Sequence, residues 1–304
     1  MSLANRLVAS VLPVVPRPII GRFSRRYIAG PALADAVRVV RELNRTGVMA
    51  TIDVLGEHLT RIEEADVALK TYIEVLDRIA AERLDSNISV KLTALGLKVD
   101  PGICFDHMRR LCAAARDHRT FVRIDIEDSS CTAATFEIYR RLRREFEGVG
   151  GAVQAYLRRS RTDVLALAEE RANLRLCKGI YIEPRAIAYR DREIVRQNFA
   201  DLLTLLLRRG CYVGIATHDE ILVWHALRLI AELGLEREAY EFQMLLGVDE
   251  ELRRIIVGAG HRLRVYVPFG SHWYAYSMRR MRENPRIAGY VAKSILRGRP
   301  PRPE

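Results

Sequence analysis

The chain of 304 residues carries 49 basic against 38 acidic side chains, a formal charge of +11, and is 49% hydrophobic with a mean hydropathy of −0.05. This composition suits a soluble protein with a large core, and no run approaches the roughly 20 apolar residues of a membrane helix. All but five of the basic residues are arginines, and they alternate with acids along stretches such as Arg140 to Glu147, the pattern of a solvated face and not of a nucleic-acid groove.

The N-terminal LANRLVASVLPVV is apolar but short, contains Pro13 and lacks a small-residue cleavage site, so it reads as a helix docking on the body and not as a signal peptide. ALADAVRVVRELN (Ala32 to Asn44) repeats apolar residues at three- and four-residue spacing, which predicts a helix. Eight short apolar runs follow: VMATIDVLG from Val48, NISVKLTALG from Asn87, TFVRIDIED from Thr120, GAVQAYL from Gly151, LRLCKGIY from Leu174, YVGIATHD from Tyr212, EFQMLLGV from Glu241 and LRVYVPFG from Leu263. Between successive runs lies enough chain for one helix, and Gly210, Gly234 and Gly260 stand where helix C-caps are expected. Eight strand–helix units predict an α/β fold of the (β/α)8 TIM-type barrel class, whose chemistry sits at the C-terminal ends of its strands. A doubly wound open sheet is the alternative, but the first run ends LGEHL, without the glycine-rich phosphate turn that fold wants. The predicted division is an N-terminal helical segment over 1–46 packing on the barrel, a barrel over 47–296, and a disordered tail over 297–304.

Cys104, Cys112, Cys131, Cys177 and Cys211 form no CxxC pair and no regular spacing. An odd, unpatterned set points to a reducing, cytoplasmic compartment and away from a zinc site.

Alternate residues of a strand face opposite ways. In the second run Ile88, Val90 and Leu92 would face the helices, leaving Ser89, Lys91 and Thr93 inside. By the same parity Arg123, Asp125 and Glu127 share the interior of the third run, and Gln154 and Tyr156 fall together in the fourth. A barrel interior filled for stability alone would be mostly Val, Ile and Leu, so three successive polar interiors imply a wet or ligand-filled upper half.

After the last run, SHWYAYSMRRMRE reads as a helix. On it Tyr276, Arg279, Arg280 and Glu283 occupy one face at i, i+3, i+4, i+7. Paired guanidinium groups bind a carboxylate in a fixed orientation through bidentate, charge-assisted hydrogen bonds.

In order, SVKLTALG, RIDIED, QAYLRRS, RLCKGIYIEP, IATHD, YEFQMLLGV, VYVPFG and YSMRRMRENP resemble the successive motifs of proline dehydrogenase, from about residue 48 to 287. That family is a distorted (β/α)8 barrel that binds FAD without a Rossmann motif. No aldehyde dehydrogenase segment follows, so the resemblance is to the monofunctional bacterial form. It implies oxidation of L-proline with electrons passed to a membrane quinone, which a basic surface would suit through peripheral contact at the inner face of the cytoplasmic membrane. Arg279, Arg280 and Lys91 match positions that hold the proline carboxylate, and Tyr266 and Tyr276 match aromatic walls of the pocket. Asp125 and Arg175 match catalytic positions, the arginine lying against the flavin. Ile126, Gln154, Lys178, Gly179, Ile180, Thr217 and His218 match FAD-contacting positions. The chain departs from the family where a small residue is common at Ile180, an aromatic at Ile182, Asn at Asp219 and Tyr at Leu246. Beside cations, Asp125 should have a depressed pKa and so suits orienting Lys91 or an arginine better than storing a proton. Two other readings compete: a lyase using Lys91 or Lys178 as a Schiff-base nucleophile, and a non-enzymatic anion-binding or membrane-surface protein driven by the charge of +11.

Overall fold

The computed structural model describes residues 20–21, 24–56, 59, 61–274 and 276–278. Its first complete helix, α1 (Leu33–Asn44), buries Ala36, Val37, Val40 and Leu43, the stripe expected from their spacing. Eight strands follow: β1 (Met49–Val54), β2 (Ser86–Val90), β3 (Val122–Ile124), β4 (Val149–Gln154), β5 (Leu174–Cys177), β6 (Val213–Ala216), β7 (Tyr240–Leu245) and β8 (Leu263–Phe269). Between them lie α2 (Ile62–Ala81), α3 (Pro101–Asp117), α4 (Thr132–Arg143), α5 (Ser160–Glu169), α6 (Arg192–Arg208), α7 (Glu220–Leu233) and α8 (Glu250–Gly258). Each strand pairs in parallel with the next, and β8 closes onto β1, with Thr51 opposite Tyr266. The eight apolar runs are the eight strands of a closed (β/α)8 barrel.

Helix starts follow local chemistry. Asp100, Asp191, Asp219 and Asp249 cap α3, α6, α7 and α8 by accepting backbone N–H groups from the first turn, a bond whose loss costs about 1 kcal/mol. At the other end Gly234 is the left-handed cap of α7, at φ 58°. Gly210 and Gly260 also have positive φ but fall one residue beyond the caps Arg209 and Ala259, a shift of one position from expectation.

The apolar core lies between the outer face of the sheet and the helices. Ile88, Val90, Val122, Ile124, Leu174, Leu176, Val213, Ile215, Val265 and Val267 are all essentially inaccessible and point outward into it. Helix α1 packs on β8 and β1, covering the seam where the first and last strands meet. Ahead of it, residues 24–30 run along the end of β8: the Ala29 N–H donates to Pro268 O (2.9 Å) and the Gly270 N–H to Gly30 O (3.0 Å). Ser24 Oγ also donates to Ile20 O (2.7 Å) and lies 2.6 Å from Ser277 Oγ, tying this strap to the segment after β8.

Three strands end earlier than parity assumed, β4 among them, which stops at Gln154 before Tyr156. β2 stops at Val90, and Leu92–Leu95 form a single 3-10 turn closed by Gly96 at φ 98°. β3 stops at Ile124. Thr93 and Glu127 therefore leave the alternation. They meet each other instead, with the Glu127 carboxylate accepting the Thr93 N–H (3.1 Å) and hydroxyl (2.5 Å) away from the barrel axis charges. Past the end of a strand the two-residue period has no ladder to enforce it.

Candidate active site

The inward-facing side chains are polar on nearly every strand: Thr51 and Asp53, Ser89, Arg123, Arg175, Glu241 and Gln243, and Arg264 are all buried. They sort into an upper and a lower network along the barrel axis.

The upper network sits at the C-terminal ends of the strands. Lys91 follows β2 directly, and its Nζ donates to Asp53 Oδ1 (2.8 Å), lies 3.4 Å from Asp125 Oδ2 and donates to Tyr266 Oη (3.0 Å). Asp125 also accepts from Ser89 Oγ (2.6 Å), from Tyr266 Oη (2.9 Å) and from Arg175 Nη1 (2.5 Å). Register explains the convergence: Asp53 is opposite Ser89 across β1 and β2, while Asp125 follows β3 and continues the ladder to Val90 O. Lys91 and Arg175 both lie beside the Tyr266 ring, at 5.8 and 5.3 Å from its centre. Two carboxylates and two cations thus balance inside one buried cluster, as paired burial requires.

Burial alone would raise the Asp125 carboxyl. The Arg175 guanidinium, then the Lys91 ammonium and the Ser89 and Tyr266 hydroxyls, outweigh it and hold Asp125 below the usual carboxylate range. Burial and the neighbouring Asp125 and Asp53 carboxylates push the Tyr266 phenol well above its ordinary value. At neutral pH the aspartate is ionised and the tyrosine carries its proton.

The lower network centres on Arg123 and Glu241. Arg123 donates to Gly151 O (2.8 Å), Asn173 O (2.9 Å) and Asn173 Oδ1 (2.6 Å), and burial lowers its guanidinium to about 10. Glu241 accepts from Arg264 Nε (2.9 Å), Tyr212 Oη (2.8 Å) and Gln243 Nε2 (2.6 Å). Burial would raise Glu241, but Arg264 and these donors bring it down to about 2. Gln243 joins the halves, its Oε1 accepting from Arg175 Nε at 2.5 Å.

The residues expected to touch a flavin lie at the ends of β3, β4, β5 and β6. Gln154 ends β4 and donates through Nε2 to Ile126 O and Glu127 O, both at 3.3 Å. Its Oε1 is buried with no hydrogen-bond partner among the described residues, as is the phenol oxygen of Tyr156. Gly179 stands at φ +101° with the Tyr156 ring against it; a Cβ there would come within 2.1 Å of that ring, so only glycine fits. Lys178 Nζ pairs with Asp219 Oδ2 (2.5 Å), which Arg196 Nε also reaches (2.9 Å). Ile180 is exposed beside them, and the Thr217 N–H donates to Gln243 O (3.2 Å). His218 Nε2 accepts the Leu245 N–H at 2.9 Å, a backbone-to-side-chain bond between the ends of β6 and β7 that puts the ring proton on Nδ1.

Among the expected substrate residues, Lys91 and Tyr266 fall in the upper network. Tyr276 is buried against Ile28 and Leu55, beside Tyr27 and Trp273, and Leu55 directly follows the end of β1. Residues 273, 274 and 276–278 are helical, as expected, but Arg279 and Arg280 lie outside the described residues, as does the segment 297–304. Asp53, Gln243 and Glu241 belong to the networks although sequence reading did not single them out. The signal was present: each alternates with outward apolar neighbours in TIDV and YEFQM.

A family model described as Proline dehydrogenase matches residues 36–293. The chain is 38% identical over 274 residues to Proline dehydrogenase 1 of Bacillus subtilis (strain 168), covering 90% of this chain and 91% of that one. It is 34% identical over 302 residues to Proline dehydrogenase of Deinococcus radiodurans, covering 95% and 97%. Among solved structures it superposes on proline utilization A (PutA) from Bdellovibrio bacteriovorus inactivated by N-propargylglycine. That match has a TM-score of 0.82 and 26% identity over 92% of this chain and 34% of that one, so the present chain spans about a third of the larger protein.

Proposed function

The chain belongs to the proline dehydrogenase family, enzymes of proline catabolism, and from that premise we propose that it oxidises L-proline to 1-pyrroline-5-carboxylate using bound FAD, with a quinone-type acceptor downstream. The observation that carries this reading is the buried cluster of Lys91, Asp125, Arg175 and Tyr266 at the C-terminal end of the barrel. A flavin bound there would supply the hydride acceptor for the ring carbon beside the proline nitrogen.

The rim residues fit such a group. An isoalloxazine presents an imide N–H and carbonyl oxygens, and Gln154 Oε1 and the Tyr156 phenol are buried polar atoms awaiting partners. The bare backbone at Gly179 makes room for the Tyr156 ring, whose phenol is one of those atoms. Gln154, Lys178, Gly179, Ile180, Thr217, His218 and the Ile126 backbone would hold it, with Arg175 as the fixed cation that stabilises developing negative charge.

The remaining steps belong to this chain's side chains. Lys91, with Arg279 and Arg280, binds the substrate carboxylate and so positions the ring carbon, an orienting task in which binding energy far from the reacting atom lowers the barrier. Tyr266 and Tyr276 wall the ring. Asp125 holds no proton to exchange at neutral pH, and its carboxylate oxygens instead fix the Lys91 ammonium and the Arg175 guanidinium. Tyr266 keeps its proton on Oη and spends it on Asp125 Oδ2. The amine therefore has to arrive deprotonated, and kcat/KM for proline should rise with pH through the neutral range.

Among the described residues no helix is long and apolar enough to cross a membrane. For delivery of electrons to a quinone the reading is peripheral contact at the cytoplasmic face of the membrane, for which the charge of +11 favours anionic lipid. The test is an absorption spectrum of the purified protein followed by anaerobic L-proline. Bleaching of an oxidised-flavin band is expected. A colourless protein, or a flavin untouched by proline, refutes the reading.

A further inference from the structure

Arg175 has two anchors. One is the Asp125 and Ser89 side of the upper network; the other is Gln243, which approaches from the opposite direction. The Gln243 amide cannot turn over. Its Oε1 must accept from Arg175 Nε at 2.5 Å, while its Nε2 must donate to Glu241 Oε1 at 2.6 Å, because a guanidinium offers only donors and an ionised carboxylate only acceptors. Glu241 is itself fixed by Arg264 Nε and Tyr212 Oη. Space is reserved as well: a Cβ at Gly214 would lie 2.4 Å from Gln243 Nε2, so β6 carries a glycine where the amide crosses.

We propose that Gln243, oriented by Glu241, is a positioning residue that aims Arg175 at the flavin while holding the Glu241 charge one hydrogen bond away from it. This rests on the reading that Arg175 lies against the flavin. The amide is suited to the task because it is neutral. It satisfies the guanidinium Nε without adding a second carboxylate to Asp125, which already pairs with Nη1, so Arg175 keeps more of its charge for the reduced cofactor. A carboxylate at the same place would pair with Arg175 from below and spend that charge inside the protein.

Three variants test this through the reduction potential of the bound flavin, read by spectroscopic titration, beside proline kinetics. Gln243→Leu removes both bonds; kcat should fall by about tenfold to a hundredfold, the scale of a small misplacement of a catalytic group, with KM for proline changed less than kcat. Its flavin potential should move negative. Gln243→Glu, made together with Glu241→Gln so that no second carboxylate faces it, keeps the reach and a polar partner for Arg175 where the leucine variant has none, and its potential should also move negative. Arg175→Met, which removes the cation, sets the scale. If Arg175→Met leaves the potential unchanged, the premise about Arg175 fails. If Arg175→Met shifts it while Gln243→Glu leaves both potential and kcat at the parent values, the premise stands and the proposal for Gln243 is overturned.

Discussion

The two halves of the barrel interior hold buried charge in different ways. In the lower half the two terminal nitrogens of Arg123 donate to neutral oxygens, and Glu241 is pinned by one cation and two neutral donors. In the upper half Lys91 divides itself among Asp53, Asp125 and Tyr266, while Asp125 serves Ser89, Lys91, Arg175 and Tyr266 at once. Shared partners are exchangeable: a substrate carboxylate can take over part of what Lys91 gives to Asp53 or Asp125 without leaving any charge bare. A closed set such as Glu241 with Arg264 offers no such exchange. A polar barrel interior is thus two devices, a scaffold below and a receptive cluster above.

The sharpest way to break that division is to cut each half once. Arg264→Met strands Glu241 as a buried charge and should destabilise by about 3–5 kcal/mol in urea unfolding. A loss under about 1 kcal/mol would mean the lower half is no scaffold. Asp125→Asn keeps the shape of the upper half but removes the charge that fixes Lys91 and Arg175. Turnover of proline should drop by about a hundredfold with flavin content retained, the usual scale for losing one electrostatic organiser. Turnover at the parental rate would remove the upper half's claim to chemistry.

Acid probes both halves together. Glu241 falls from an ordinary 4.5 to about 2 in the fold, so its contribution is complete above 4.5 and disappears as pH drops toward about 2. Asp125, also depressed, acts with the same sign below 3.8. Stability measured from pH 5 downward should therefore fall steeply, and less steeply in Glu241→Gln, whose starting stability is lower. The smallest effect belongs outside the barrel. Arg228 and Glu232 form an exposed pair one turn apart on α7 at 2.8 Å, and Arg228→Ala should change stability by less than about 0.5 kcal/mol.

The alternation within strands makes much of this legible in the sequence. Ser89 against Ile88 and Val90, and Arg123 against Val122 and Ile124, are local geometry that the sequence displays directly. Thr93 and Glu127 escaped because strand ends are set by pairing partners and by the turn that Gly96 permits, neither of which lies in the alternation itself. Gln243 escaped for a different reason. Its meaning comes from Arg175, 68 residues away and across the barrel axis, and parity says which side a residue faces but not whom it meets there.

The seam between β1 and β8 carries a consequence for how the protein is made. Residues 49–54 must find residues 264–269, and α1 can settle over that joint only once both strands exist. On a ribosome adding about 5–20 residues per second, β1 waits roughly 10–40 s for its partner. During that interval the growing sheet has an unpaired edge and polar side chains facing no barrel, with loop closure over the whole sheet still to come. Synthesis speed over the last third of the message, and holding factors that shield a strand edge, should therefore govern yield more than any single core contact.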